Sequence, residues 1–439
     1  MRRERAAADA RGAALRPFAA ALIQINAALR GGFMLAASDT GSAAMHVDIA
    51  IVGAGPAGLC FARSLAGSGL SLALIEPQPR AALAEAAFDG REIALTHASR
   101  TLLEQLDLWS RIDPDAISPL RDARVMNGSS PFALTFAASQ GDRGDLGWLV
   151  PNHLIRRAAF DAVQAQPGLT LLDGVSVQAL QCDDTHSTLR LSDGRTLSAR
   201  LVVAADSRFS STRRMRGIGA QMRDFGRSML VCRVSHERPH QHTAWEWFGY
   251  GQTLALLPLR GNQASAVLTL APERAQALMQ MDVAALGAEI GARFEHRLGA
   301  MTPLVRPQVY PLVAVYAQRF VGKRYALIGD AAVGMHPVTA HGFNFGLQGQ
   351  ARLARALHAA VAQGRDIAAP ALLAGYERGH RLATRPLYEA TNAIAALYTD
   401  DRLPARALRN AALRVADRVA PFKRAIAAHL TQRGAVGAR

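Results

Sequence analysis

Val47-Asp48-Ile49-Ala50-Ile51-Val52-Gly53-Ala54-Gly55-Pro56-Ala57-Gly58 is the stretch on which the fold of this chain turns. Its first six residues are mostly apolar and β-branched, as in a strand buried on both faces of a parallel sheet. The three glycines then have separate tasks. Gly53 permits a tight turn, Gly55 lets backbone amides approach a pyrophosphate, and Gly58 lets the following helix, expected over 59–66, pack closely on the strand. Pro56 and Ala57 belong to the same cofactor turn, and the N-terminus of the following helix faces an anion. A second strand, expected over 70–75, ends in Glu76, whose carboxylate suits ribose hydroxyls and would repel a 2′-phosphate. Strand, turn, helix, strand and terminal acid together predict a dinucleotide site, for NAD or FAD. The alternative is a glycine-rich turn of no special purpose.

Two later segments weigh on that choice. Leu201-Val202-Val203-Ala204-Ala205-Asp206-Ser207-Arg208-Phe209-Ser210-Ser211-Thr212-Arg213 reads as a strand entering a loop with one acid and several small residues. Tyr325-Ala326-Leu327-Ile328-Gly329-Asp330-Ala331-Ala332 is another apolar strand, ending in Gly-Asp. With the first turn they resemble the three fingerprints of the flavoprotein aromatic hydroxylases, whose fold is that of 4-hydroxybenzoate hydroxylase. More narrowly the chain resembles the ubiquinone-biosynthesis hydroxylases. That match rests on Asp89-Gly90-Arg91-Glu92-Ile93-Ala94-Leu95, on Leu102-Leu103-Glu104-Gln105-Leu106-Asp107-Leu108-Trp109, and on Glu237-Arg238-Pro239-His240 before Leu256-Leu257-Pro258-Leu259.

The resemblance implies an α/β fold: a Rossmann-like FAD-binding domain, an inserted, mostly antiparallel β-sheet substrate domain and a C-terminal helical segment. The expected boundaries are 46–118, 151–222 and 321–365 for the FAD-binding domain, 119–150 and 223–320 for the substrate domain, and 366–439 for the helical segment. It also implies that Arg91 approaches the ribityl or ribose part of FAD, Asp206 lies near the linker between flavin and adenine, and Asp330, beside Gly329, binds the ribityl hydroxyls. The plain alternatives are a surface ion pair for Arg91 and capping of the following element for Asp206 and Asp330.

The sequence departs from the family twice. Ala204-Ala205-Asp206-Ser207 replaces the usual Gly-Ala-Asp-Gly, so a positive φ at Ser207 would be strained. Pro337-Val338-Thr339-Ala340-His341-Gly342-Phe343-Asn344 replaces Pro-x-x-Gly-Gln-Gly-x-Asn, on the flavin's reactive side. Here Pro337 belongs to the cofactor loop, and backbone amides at Gly342 and Asn344, opening a helix expected over 345–361, suit the pyrimidine edge of reduced flavin. His341 is the candidate catalytic residue, with shaping of the pocket as its alternative. His336 and His341 have no other ligand at metal spacing, so no metal site is expected.

The implied activity is monooxygenation through a flavin C4a-hydroperoxide. Its partners are O2, a polyprenylated phenol or quinol, and NADH or NADPH as a transient donor, since only one GxGxxG is present. The Ala340-His341 pair resembles a branch that hydroxylates C5 or more than one position, which points to a demethoxyubiquinol-type substrate. The rivals are a hydroxylase, halogenase or reductase of the same fold acting on another target, and a non-catalytic flavoprotein of an assembly. Trp245-Glu246-Trp247 hints at the halogenases, but Phe248-Gly249-Tyr250 follows where their motif continues differently. Trp245, Trp247, Phe248 and Tyr250 read either as sheet core or as the wall of an aromatic pocket.

Composition bounds the rest. With 439 residues, half of them apolar, the chain can build a sizeable core, and no run approaches the length that crosses a bilayer. Three scattered cysteines argue against a disulfide framework and fit a reducing cytoplasm. The net charge of +15 gathers at the two chain ends and is assigned to an anionic cofactor or lipid rather than nucleic acid. Residues 1–45 read as a disordered or weakly helical extension, ahead of alternative starts at Met34 or Met45. Leu408, Ala412, Val415, Val419, Phe422 and Ile426 recur at helical steps among arginines and lysines. This is a basic amphipathic helix suited either to the inner face of the cytoplasmic membrane, to a ubiquinone-synthesis complex or to packing on the FAD lobe.

Overall fold

The computed structural model describes residues 45–418 except 129, 131, 138–143, 250, 340, 400 and 401. The expected extension before Met45, Tyr250, Ala340 and the helical pattern beyond Arg418 therefore lie outside the described residues.

The strand Met45–Val52 runs through the middle of a mainly parallel sheet. Leu72–Glu76 and then Leu169–Asp173 lie parallel to it on one side, Thr196–Ala204 and then Tyr325–Leu327 on the other. Ile49, Ala50 and Ile51 are fully buried, as a central parallel strand covered on both faces requires. The register places Val52 beside both Ile75 and Ala204, and Ala204 beside Leu327. The carboxyl ends of four strands therefore finish level, and the chain leaves each of them at one edge. The central strand's two neighbours follow different connections there, which makes this edge a topological switch point where open α/β sheets bind ligands. Helix Pro56–Ser64 packs against Asn152–Val163 and Gly342–Ala362, closing the core of this layer. The first helix begins three residues earlier than expected, because proline at N1 is compatible with a helical start.

A second sheet is mostly antiparallel. Its backbone is the 17-residue strand Ala220–His236, paired with Gln308–Ala317 on one side and Gln263–Leu270 on the other, followed by Thr253–Pro258, Thr243–Phe248, Asp122–Asn127 and Ala133–Ala137. One pair, Thr243–Phe248 with Asp122–Asn127, is parallel. Leu278, Leu286 and Ile290, from the helices Pro272–Met279 and Val283–Arg293, and Phe294, at the end of the second helix, pack with Trp247 and partly buried Trp245 in a separate core on one face of this sheet. Helices Pro370–Thr399 and Leu403–Arg418 follow the parallel-sheet layer.

Candidate cofactor and active site

The first turn is built by close contacts that leave no room for side chains. A Cβ on Gly53 would come 2.6 Å from the Ala205 carbonyl oxygen, and one on Gly58 would fall onto the carbonyl oxygen of Gly53 and lie 3.3 Å from Ala205 Cβ. Gly53 also has φ +104°, which disfavours any other residue. Gly55 differs: its φ of −71° is ordinary and nothing lies within 4 Å of the Cβ position, so the turn is open on that side. Gly55 immediately precedes the helix, whose free backbone N–H groups carry the positive end of the helix dipole.

Glu76 reaches back to this turn. Its Oε2 accepts from the Ala54 amide at 2.7 Å and its Oε1 from the Gln78 amide at 3.1 Å, so the acid is fixed beside the glycine turn. The segment after Ala204 arrives from the other side. Asp206 accepts hydrogen bonds from Ser210 Oγ (2.5 Å), Thr212 N (3.0 Å) and Thr212 Oγ1 (2.9 Å), locking the loop and the short helix Ser211–Met215. Ser207 has φ +71°, the left-handed conformation that the usual glycine would adopt without strain. A seryl side chain there costs on the order of 1–2 kcal/mol.

Gly329 and Asp330 complete the edge. Gly329 has φ +59° and a Cβ there would lie 2.7 Å from Ala57 Cβ, so the third segment presses directly on the first. Asp330 Oδ2 accepts from Arg208 Nη2 at 3.0 Å. Arg213, buried, donates to the carbonyls of Ala331 (2.8 Å) and Arg208 (3.1 Å), and Thr212 Oγ1 shares a 3.0 Å hydrogen bond with Tyr325 OH. Arg208, Arg213 and Tyr325 thus clamp the second and third segments together. The sequence signals them only by their place inside the fingerprints.

The remaining predicted residues form a second group. Asn344 is buried, accepts from the Thr96 amide at 3.2 Å and donates to the Ala94 carbonyl at 2.9 Å, pinning the strand Glu92–Leu95 to the start of helix Gly342–Ala362. Arg91, one residue before that strand, is ion-paired with Asp89 at 2.6 Å and lies over the Tyr310 ring at 5.4 Å. Asp89 is held below the usual carboxylate range by Arg91 and by the Asn152 amide against the opposing effect of burial, which is the larger single influence. His341 precedes the helix and is buried, 5.8 Å from Phe345 between ring centroids, while the Cβ position of Gly342 is open. The helix begins at Gly342 rather than 345, so both Gly342 and Asn344 lie in its first turn.

Pro337 lies in an open cleft with His336 and Val338, facing the second sheet. Burial, reinforced by Arg223, pushes the His336 imidazole down to about 4, so it is neutral at pH 7. The opposite wall comes from Phe248, Thr253, Ala255, Val267, Thr269 and Met229. These residues are neighbours in the sheet register, so one continuous sheet face lines the cleft. Of the aromatics read as a pocket or as core, Trp245 and Trp247 belong to the core and Phe248 to the cleft.

The family model described as an FAD binding domain matches residues 46–391. The ubiquinone hydroxylase UbiM of Neisseria meningitidis is 45% identical over 391 residues, covering 88% of this chain and 85% of that protein. The chain belongs to the ubiquinone-biosynthesis hydroxylase family. Among these hydroxylases, UbiL of Rhodospirillum rubrum is 37% identical over 89% of this chain and 90% of its own, and the 3-demethoxyubiquinol 3-hydroxylase of Escherichia coli 31% identical over 86% and 96%. Two solved structures share the fold. They are PqsL, a probable FAD-dependent monooxygenase from Pseudomonas aeruginosa (TM-score 0.67, 23% identity, 81% and 97% of the chains), and p-nitrophenol 4-monooxygenase PnpA from Pseudomonas putida (0.71, 19%, 88% and 99%). FAD is the cofactor of the family, and the open side of Gly55, the helix start and the fixed acid at Glu76 fit its adenosine diphosphate half. No group of metal-ligating side chains occurs among the described residues, and no helix among them is long and apolar enough to cross a membrane.

Proposed function

We propose that this chain is an FAD-dependent monooxygenase that hydroxylates the aromatic ring of a polyprenylated phenol or quinol in ubiquinone biosynthesis, with C5 of a demethoxyubiquinol-type ring as the position. The observation that carries the reading is the convergence of Gly53–Gly58, Glu76, Asp206 and Gly329–Asp330 on one sheet edge, in a chain whose His336–Val338 loop faces a mainly apolar sheet wall. When bound, FAD would supply the activation of dioxygen, with NADH or NADPH as the transient reductant, one oxygen atom going to the ring and the other to water. The protein's own work is positional. Gly55 and the helix start bind the pyrophosphate, the first turn of Gly342–Ala362 offers amides to the flavin edge, and His341 with the cleft wall shapes the ring site and excludes water.

A lipid substrate has to be reached. For this we propose that helix Leu403–Arg418 rests on anionic lipid, supported by exposed Leu408 and Val415, seven residues apart, beside exposed Arg414. The test of the reaction is purified holoprotein supplied with NADH or NADPH and a short-chain prenylated phenol. Oxygen uptake stimulated by the phenol, with a hydroxylated ring product, is expected. Flavin reduction that yields only peroxide would refute it.

A further inference from the structure

Glu246 sits at an unusual place in this cleft. The strand Thr243–Phe248 alternates its side chains, so Trp245 and Trp247 enter the core while Glu246 and Phe248 face the cleft beside His336, Pro337 and Val338. Among the described residues the Glu246 carboxyl has no hydrogen-bond or ion-pair partner, although every other wall position near it in the register (Ala255, Phe248, Thr253, Val267) is apolar or a small hydroxyl residue. The charged and titratable groups that share the cleft come from three further elements: Arg227 from the long strand, whose Nη1 donates to the Gly251 carbonyl at 3.1 Å, His336 from the loop, and Tyr398 from helix Pro370–Thr399, which stacks on Phe248 at 3.6 Å. None of them is bonded to Glu246.

Glu246 is half-buried, and a carboxyl set in this mainly apolar wall with no protein partner is partly desolvated, a cost that leucine or methionine would not bear. A ligand hydroxyl entering from the cleft would remove that cost. We propose that Glu246 is the residue that hydrogen-bonds a ring hydroxyl of the substrate and so sets the orientation of the ring against the His336–Val338 loop. The inference rests on the monooxygenase reading above and names the group that recognises the hydroxylated ring. The carboxyl has an acceptor oxygen in either protonation state. Burial pushes it up to about 8, so at neutral pH it also carries a proton to donate to a second ring oxygen. The apolar remainder of the wall then suits the hydrocarbon of a neutral, prenylated ring.

The test uses FAD-loaded wild type, Glu246→Gln and Glu246→Ala, each titrated calorimetrically with a short-chain prenylated phenol and with the methyl ether of the same phenol. Wild type is expected to bind the phenol about tenfold more tightly than the ether, the ratio that one hydrogen bond of ordinary strength gives. Glu246→Gln, which keeps a donor and an acceptor, should retain most of that ratio. Glu246→Ala should bring it close to one by weakening the phenol and leaving the ether unchanged. FAD content and Tm establish that the variants are folded; if the alanine variant is not, Glu246→Met carries the same expectation. A tenfold preference for the phenol that survives in Glu246→Ala or Glu246→Met would overturn the inference while leaving the proposed function intact. Binding of neither ligand to wild type would instead remove the substrate class itself, and the inference with it.

Discussion

Gly55 and Gly58 are three residues apart in one turn, yet alanine should do different things at each. At Gly55 the backbone, φ −71° and ψ 177°, is ordinary for alanine and the Cβ position is open. Restricting the unfolded chain stabilises by about 0.4–1 kcal/mol. Alanine is a poorer N-cap than glycine by a comparable amount. The two nearly cancel, so the Tm of the FAD-free protein should stay within about 2 °C of wild type. FAD should suffer, because a methyl group that holds the pyrophosphate away from one helix-start amide loses a charge-assisted hydrogen bond of about 1.5–3 kcal/mol, a fall of about 10- to 150-fold in affinity. At Gly58 the added Cβ meets the Gly53 carbonyl and Ala205 Cβ inside the protein. Such overpacking costs about 1–3 kcal/mol, so both the FAD-free Tm and FAD affinity should fall. Thermal unfolding of FAD-free protein and fluorescence titration with FAD separate the two. The reasoning fails if Gly55→Ala binds FAD within twofold of wild type, or loses as much FAD-free stability as Gly58→Ala.

Further consequences follow from the clamps and the buried titratable groups. Arg213→Met deprives the carbonyls of Ala331 and Arg208 of their donor, and should destabilise by about 2–4 kcal/mol with loss of FAD on gel filtration; unchanged Tm would mean that the second and third segments hold together without it. Asn344→Ala removes the bonds to Ala94 and Thr96 and should raise protease sensitivity near the strand Glu92–Leu95, measurable by limited proteolysis. Glu246 is pushed up from 4.5 to about 8, so the folded chain holds its proton more tightly than the unfolded chain. The stability this brings is complete below about 4.5 and is lost as pH rises toward 8. The Tm advantage of Glu246→Gln over wild type should therefore widen between pH 5 and 8, and a constant difference would contradict the burial of that carboxyl. His336 has the opposite sign: being lowered to about 4, it supports folding above its ordinary 6.5 and ceases to do so as pH falls through about 4.

Much of the FAD layer was legible because its residues obey local rules. A strand buried on both faces is a continuous apolar run, and a turn that must touch a neighbouring backbone has to be glycine, so Gly53 and Gly58 announce their contacts. The strain at Ser207 was legible too, since a missing glycine left a positive φ to be borne by a residue with a Cβ. The second sheet was harder to read. The strand Ala220–His236 contains Gly226 at φ +60° and shifts register between Asp224 and Ser228, so its sequence breaks where the strand does not. Buried arginines are invisible by composition, and Arg213 reads as surface charge until its two carbonyl partners are known. Glu246 is hidden in the sequence because the tryptophans on either side suggest core. The period of two that sends them inward is what sends the acid to the cleft. At Asp206 the chain itself supplies the hydrogen-bond donors, so its capping role, one of the two readings open in the sequence, is built into the loop whether or not FAD is near.

The most direct test of the central claim is mass spectrometry of the quinones in bacterial strains that each lack one ring hydroxylase of ubiquinone synthesis and express this chain. Restored ubiquinone, with loss of the accumulated demethoxy intermediate in the strain deficient at C5, is predicted, and Gly55→Ala should weaken the restoration. Quinone profiles unchanged in every strain, with the protein present and loaded with FAD, would contradict the account.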